Sequence, residues 1–263
     1  MVGISIVSVP SAIAASGESA SNVQAEVNEL FDRAFKATSQ GDFESAETYW
    51  SKILERYPRN AAVWSNRGNA RVSQHKLQEA LKDYNQSIAL APDQPDPYLN
   101  RGTALEGLQD WQGAIADYNR VLDLDPQDTA AYNNRGNAQA GLGNWDAALD
   151  DYQQATKLNP GFAMARANTA LALYQVGQTE EAIHQFRTLL RRYPQFADIR
   201  AALTAALWAK GQHGEAESQW VAVIGLDSRY RDLDWVKTIR RWPPQLVNAL
   251  EQFLSLTSQK SIR

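Results

Sequence analysis

The apolar and polar positions of this chain are arranged in a pattern that recurs every 34 residues. Each period has an alanine at its twentieth position, an aromatic residue four positions later, and a proline near its end in all but the last period. The alanines are Ala46, Ala80, Ala114, Ala148, Ala182 and Ala216, the aromatic residues are Trp50, Tyr84, Tyr118, Tyr152, Phe186 and Trp220, and the prolines are Pro58, Pro92, Pro126, Pro160 and Pro194. A period of this length predicts stacked helix–turn–helix units.

Aligned on the prolines, the repeats span 27–60, 61–94, 95–128, 129–162, 163–196 and 197–230 without insertion or deletion. Each predicts a first helix, a tight turn and a second helix that proline ends, because proline lacks an N–H and disfavours helix in the preceding residue. The eighth position is small, which predicts close approach of the two helices: Ala34, Gly68, Gly102, Gly136, Ala170 and Thr204. The turns carry Gly41, Gly143, Gly177 and Gly211, and we expect slightly different turns where His75 and Gln109 replace glycine.

This pattern resembles the tetratricopeptide repeat family over residues 27–230. The resemblance implies an all-α fold, a right-handed superhelical solenoid of helix pairs whose first helices line a concave groove that binds peptides or proteins. The last repeat departs from the pattern at Thr204 and at Ser228, which replaces the closing proline. A terminal repeat is expected to deviate, because one of its faces meets solvent or a cap.

Residues 231–263 predict a degenerate capping helix pair and a tail. Leu233, Trp235, Val236, Ile239 and Trp242 form one apolar face at helical spacing, Pro243 and Pro244 interrupt it, and a second helix with Leu246, Leu250, Phe253 and Leu254 follows. The segment is loosely similar to the tails of tetratricopeptide proteins of the thylakoid lumen in cyanobacteria and chloroplasts. That similarity implies an exported protein of the thylakoid lumen or periplasm, with a cytoplasmic location as the alternative.

Residues 1–26 are interpreted as an N-terminal tail. The first fifteen are apolar and small, too few to span a bilayer, and end in an Ala12-Ile13-Ala14 triplet typical of signal-peptidase sites. A full signal would begin with basic residues, and the first cation here is Arg33, so we interpret the stretch as a truncated export signal or as an unstructured apolar tail. The net charge of −4 argues against nucleic acid as the ligand, and the absence of cysteine excludes disulfides and thiolate metal sites.

Asparagine occupies the sixth position of the first helix in four consecutive repeats. These residues are Asn66, Asn100, Asn134 and Asn168, and Asn69 and Asn137 extend the row while Asn133 flanks it. In the family this position faces the groove, and a primary amide can both donate to and accept from a peptide backbone. The row resembles the asparagine ladder in the repeat domain of O-linked N-acetylglucosamine transferase, which implies a peptide-binding surface. The alternative is that the amides bond to neighbouring helices or water.

Arginine at the seventh position and aspartate at the twenty-third occur together in repeats two to four. The pairs are Arg67 with Asp83, Arg101 with Asp117, and Arg135 with Asp151. In repeat five both are replaced, by Thr169 and Gln185, so the sequence predicts a structural bridge between the two helices of a repeat. The family's carboxylate clamp needs cations at groove positions two, five and six, and repeats two to five have none there.

Catalytic motifs are absent from the sequence. His75, His184 and His213 lie in different repeats without a second ligand at metal-binding spacing, and there is no P-loop, GxGxxG or GxSxG. We therefore expect a non-enzymatic scaffold without cofactor or metal that holds a protein or peptide partner in its groove. Two further hypotheses are an assembly factor for a membrane (photosynthetic) complex and a noncatalytic subunit of an enzyme.

Overall fold

The computed structural model describes residues 20–260 of the chain, and side chains from Gln24 to Ser255. Within that range the regular structure is entirely helical. The α-helices are α1 (Ala20–Gln40), α2 (Phe43–Arg56), α3 (Ala61–Ser73), α4 (Leu77–Leu90), α5 (Pro95–Gly107), α6 (Trp111–Leu124), α7 (Thr129–Gly141), α8 (Trp145–Leu158), α9 (Ala163–Gln175), α10 (Thr179–Arg192), α11 (Ala197–Ala209), α12 (His213–Leu226), α13 (Leu233–Thr238) and α14 (Pro244–Lys260), and a 3-10 helix spans Ser228–Arg231.

The helices form two compact units, Met1–Ala104 and Leu105–Arg263, with the boundary inside α5. In each unit a second helix packs on the first helix of its own repeat and on that of the next one: α2 on α1 and α3, and α8 on α7 and α9. This confirms the predicted all-α arrangement of consecutive helix pairs. α1 begins at Ala20, seven residues before the start of the first repeat, and the expected export signal at residues 1–15 lies outside the described residues.

All six turns between paired helices place one residue in the left-handed region, including the two that lack glycine. Gly41 has φ +76°, while His75 and Gln109 have φ +60° and +62°. The reason is the shared backbone bonding that ends the first helix: the Lys76 amide donates to the Arg71 carbonyl just as the Asp42 amide donates to that of Ala37. The two turns without glycine therefore differ only slightly, with φ values of +60° and +62° against +76° to +85° for the four glycines. Bonding to the helix end keeps the left-handed conformation even where the side chain disfavours it.

Close approach of the two helices in a repeat depends on the small residue at the eighth position. A Cβ added to Gly68 would lie 2.7 Å from the Tyr84 ring, and one added to Gly136 would lie 2.6 Å from the Tyr152 ring. Both tyrosines are the aromatic residues of the 34-residue pattern, and both are buried. The glycines are therefore required by the ring that lies against them.

The C-terminal helices do not continue the alternating stack. α13 has only six residues, and α14 packs on α11 and α9, which are first helices of repeats six and five. A further repeat would have placed its first helix against α12 and α11. Leu246, Val247, Leu250 and Phe253 of α14 are buried in one core with α9 and α11.

We expect Gly136→Ala to lower the free energy of unfolding by about 1–3 kcal/mol. The new methyl group overlaps the Tyr152 ring, and the cost of this overlap exceeds the gain in helix propensity from glycine to alanine. Urea denaturation followed by circular dichroism measures the change. Gly214→Ala is the matched control, since a Cβ there meets nothing within 4 Å. Equal stability of the two variants would show that the ring moves aside at no cost.

Candidate peptide-binding site

The predicted asparagine row lies on one side of the first helices. Positions two, six, nine and thirteen of a repeat lie on one face of its first helix. We call the side chains at these repeat positions the first-helix face of a unit. In the first unit this face includes Asn66 and Asn69 on α3 and Asn100 on α5. In the second unit it includes Asn134 and Asn137 on α7 and Asn168 on α9.

The asparagines of the first unit keep most of their hydrogen-bonding capacity. Asn66 and Asn100 are half-buried, and among residues 24–255 neither amide bonds to another group of the protein. Asn69 is exposed and accepts a hydrogen bond of 2.8 Å from the Tyr84 hydroxyl. Two primary amides on successive first helices are therefore available to a ligand.

The asparagines of the second unit bond to one another. The Asn168 Nδ2 donates to Asn133 Oδ1 at 3.0 Å and to Asn137 Oδ1 at 3.2 Å, and the Tyr152 hydroxyl donates to Asn137 Oδ1 at 3.0 Å. Asn133, which the sequence placed at the flank of the row, is buried and donates to Asn134 Oδ1 at 3.2 Å. This network is the arrangement of the alternative interpretation, in which the amides link neighbouring helices.

The first-helix face of repeats five and six is covered by the protein's own C-terminal segment. The side-chain oxygen of Gln175 on α9 accepts a hydrogen bond of 3.0 Å from the backbone N–H of Gln245. Ala202 and Ala205 of α11 are fully buried. Position six is alanine in repeat six, and the asparagine row ends one repeat earlier. The row therefore ends where α14 covers the face.

Asp198 of α11 anchors the segment that leads into α14. Its Oδ1 accepts hydrogen bonds from the Tyr230 hydroxyl at 2.6 Å and the Trp242 indole at 2.9 Å, and its Oδ2 pairs with Arg240 at 2.8 Å. Burial raises the pKa of Tyr230, and the Asp198 carboxylate raises it further. Four polar groups thus meet in a cluster that the sequence analysis did not detect, because Asp198 lies 32 to 44 residues from its three partners.

Each described bridge arginine joins two repeats. Arg67 makes a bidentate pair with Asp83 at 3.0 and 2.7 Å, and its third nitrogen donates to Ser51 of the preceding repeat at 3.2 Å. Arg135 pairs with Asp151 at 2.9 and 2.6 Å and donates to Asn119 at 2.7 Å.

The remaining predicted pair divides between the two units. Arg101 lies in the first unit, where it donates to Asn85 at 2.7 Å, and Asp117 lies in the second, so their bridge stays a prediction. Ser51, Asn85 and Asn119 share the twenty-fifth position, a recurring polar site that the sequence analysis missed. The arginines are therefore occupied by the protein itself.

Two carboxyl groups have pKa values shifted in opposite directions. Burial alone would raise the pKa of Glu47, but hydrogen bonds from Lys76, Arg71 and Gln74 outweigh burial and lower the pKa to about 2 from the ordinary 4.5. Burial raises the pKa of Glu106 despite a hydrogen bond of 2.5 Å from the Tyr118 hydroxyl and the nearby charge of Arg241. The Arg241 guanidinium lies 5.1 Å from the centre of the Trp111 ring.

No group of three metal-ligating side chains occurs in the part of the chain that the structure describes. In the same range no helix combines the length and apolarity needed to cross a membrane. The His213 ring stacks on Trp208 with centroids 4.0 Å apart, which gives this histidine a packing role.

Sequence models described as tetratricopeptide repeat match residues 37–95, 67–131, 129–162 and 167–228. The chain belongs to the tetratricopeptide repeat family. No curated protein sequence matches it.

Solved structures with the same fold include a tetratricopeptide repeat protein from Parabacteroides merdae, at 21% identity and a TM-score of 0.69, covering 88% of this chain and 98% of that one. MamA from Desulfovibrio magneticus RS-1 has 16% identity and a TM-score of 0.59, covering 63% and 93%. YrrB, described as a tetratricopeptide repeat protein with an unusual peptide-binding site, has 21% identity and a TM-score of 0.56, covering 68% and 92%. These comparisons give no support to the thylakoid-lumen subgroup.

We expect Asp151→Ala to lower the free energy of unfolding by about 1–3 kcal/mol, because it leaves the partly buried Arg135 guanidinium without its bidentate partner. The side chains of this pair are 24% and 9% exposed. Glu215→Ala is the control: it breaks a pair with Arg187 in which both side chains are over 40% exposed, so its effect should stay below about 1 kcal/mol. Chemical denaturation measures both, and equal losses would contradict a special role of the bridge.

We expect Glu47 and Glu106 to contribute pH dependence of opposite sign. The lowered pKa of Glu47 stabilises the fold above pH 4.5, and this contribution is lost as the pH falls towards about 2. The raised pKa of Glu106 means that stability is lost as the pH rises above the ordinary value of 4.5.

Urea midpoints measured between pH 2.5 and 7 test this expectation (the range is roughly that over which carboxyl groups titrate). Glu47→Gln should be less stable than the wild type at neutral pH and converge with it in acid. The stability of Glu106→Gln relative to the wild type should increase as the pH rises. Parallel curves for a variant and the wild type would refute the assignment for that residue.

Proposed function

We propose that this protein is a non-enzymatic interaction scaffold that binds an extended segment of a partner protein along its first-helix face. The observation that supports the proposal most directly is the pair of half-buried amides of Asn66 and Asn100, which bond to no other group among the described residues. Polar groups that lose water are normally hydrogen-bonded, and a peptide backbone offers both the donors and the acceptors that these amides need.

The proposal places the main contacts on Asn66 and Asn100 of the first unit. In the second unit, taken by itself, Asn134 keeps part of its hydrogen-bonding capacity. The Asn134 Oδ1 already accepts from Asn133, but its amide nitrogen has no acceptor among the described residues. Asn137 and Asn168 are tied into the internal network and Asn69 to Tyr84, so fewer of their atoms can reach a ligand. The six asparagines of the predicted row therefore contribute unequally.

Displacement of α14 would not extend this face. The buried side chains of Leu246, Val247, Leu250, Phe253 and Trp242 each contribute about 1.5–3 kcal/mol to holding the segment in place. A peptide that gains about 0.5–1.5 kcal/mol per hydrogen bond does not recover that sum. The first-helix face of repeats five and six is accordingly assigned to the structure and not to the partner.

The narrower role of an assembly factor for a membrane complex uses the same face, and no residue of the described chain favours it over general peptide binding. No described residue favours the third hypothesis either, a noncatalytic subunit of an enzyme that would bind through its convex face or its cap. The broader function is therefore the one proposed.

We expect Asn66→Ala combined with Asn100→Ala to weaken the binding of display-selected peptides by roughly 5- to 100-fold, because two hydrogen bonds of about 0.5–1.5 kcal/mol are lost. The peptides are selected from a random library on the wild-type chain and measured by fluorescence anisotropy. Circular dichroism should show unchanged helicity.

The matched control is Asn137→Ala combined with Asn168→Ala, which removes two amides already bonded within the protein. This pair should change thermal stability more than affinity. If peptides bind the Asn66/Asn100 variant as tightly as the wild type, the binding site lies elsewhere.

A further inference from the structure

We propose, as an extension that rests on the function above, that the first unit selects partner segments carrying a large apolar side chain next to a lysine or arginine. The occupant is an extended, basic and apolar peptide segment of another protein. The apolar side chain lies on Phe35 and the neighbouring cation pairs with Asp32, while Asp96, two repeats further along the same unit, adds a second negative charge to the face. Three features of the first unit lead to this assignment.

The first feature is an aromatic cluster on α1 with one uncovered ring. Phe35 is 55% exposed, although its edge contact with Trp50 places the ring centroids 5.0 Å apart and Phe31 lies beside it at 6.4 Å. The ninth position, where Phe35 stands, is Asn69 in repeat two and Asn137 in repeat four. The helix does not require a phenylalanine there, and the exposed ring remains available for contact.

The second feature is a comparison between repeats one and six, which alone have tryptophan at the twenty-fourth position. In repeat six, Trp220 makes an edge contact with Phe253 of α14 at 5.1 Å, and the small residues Ala201 and Ala205 of α11 are buried in the same core. In repeat one, Phe31 and Phe35 occupy the positions of those two alanines. The first unit therefore fills the space over its tryptophan with its own side chains, and the outer ring of Phe35 is left for an external apolar group.

The third feature is the charge of the first-helix face in the first unit. Asp32 on α1 and Asp96 on α5 are exposed, and neither forms an ion pair with another described residue. By contrast, Glu26, Glu47 and Asp83 of the same unit are paired with arginine. No lysine or arginine stands at positions two, six, nine or thirteen of α1, α3 or the part of α5 in this unit.

Two cations stand close to Asp32 in the sequence of α1: Arg33, which pairs with Glu29, and Lys36, four residues after Asp32. Lys36 has the position to be considered further. It stands at the tenth position, where the next repeats carry the buried residues Ala70 and Ala104. Lys36 is exposed, and its position lies beside the first-helix face and not on it. Asp32 and Phe35, three residues apart on the same helix, are neighbours on its surface, so a segment that contacts both has its apolar and basic side chains close together.

The test is selection of a random twelve-residue peptide library, displayed on phage, against the full chain and three variants. On the wild type we expect enrichment of large apolar residues together with lysine or arginine. Asp32→Lys combined with Asp96→Lys should shift the ratio of basic to acidic residues by about tenfold towards acidic peptides, because two attractive charges become repulsive. Phe35→Ser should abolish the apolar enrichment and keep the basic one.

The third variant, Asn66→Ala with Asn100→Ala, separates this inference from the proposed function. Suppose that the enrichment of peptides is lost in the asparagine variant but is unchanged by the substitutions of Asp32, Asp96 and Phe35. That result would overturn the inference and leave the scaffold function intact. Absence of any enrichment over the asparagine variant would overturn both. Retained helicity of each variant, measured by circular dichroism, shows that a changed selection reports on the surface and not on unfolding.

Discussion

The close contact between an aromatic ring and a glycine in the helix pairs α3–α4 and α7–α8 is the constraint on which the packing of this structure depends. The rings of Tyr84 and Tyr152 lie directly against Gly68 and Gly136, where no Cβ fits. Because the ring occupies this space, it fixes the distance between the two helices of the repeat. The other side of the second helix packs on the first helix of the next repeat. Similar side-chain volumes recur every 34 residues, and the repeats follow one another without insertion or deletion.

On this packing the chain adds a polar layer that joins one repeat to the next. Arg67 and Arg135 use two nitrogens on the aspartate of their own repeat and a third on the preceding repeat. A guanidinium can do this because its five donors lie in a fixed plane, which lysine does not offer. The layer weakens towards the C-terminal end, where Thr169 replaces arginine and apolar packing takes over.

The C-terminal segment covers part of the first-helix face of the second unit. α14 covers the helices of repeats five and six, and the Asp198 cluster holds the segment that leads into it. The asparagines closest to this region satisfy one another, whereas Asn66 and Asn100 in the first unit do not. The binding function proposed above therefore uses the N-terminal repeats, where the amides, the carboxylates of Asp32 and Asp96 and the Phe35 ring stand at first-helix-face positions.

The sequence by itself determined the fold, because a 34-residue period of small, aromatic and proline positions reflects contacts between residues that are near in the chain. It also determined the bridge partners Arg67 and Asp83, which are replaced together elsewhere in the same chain. Only the tertiary structure decided that α14 lies on first helices, that Asp198 gathers Tyr230, Arg240 and Trp242, and that the asparagines of one row differ in what they bond. These outcomes depend on long-range packing of a segment that occurs once, and a segment without a repeat leaves no periodic signal from which its position can be derived.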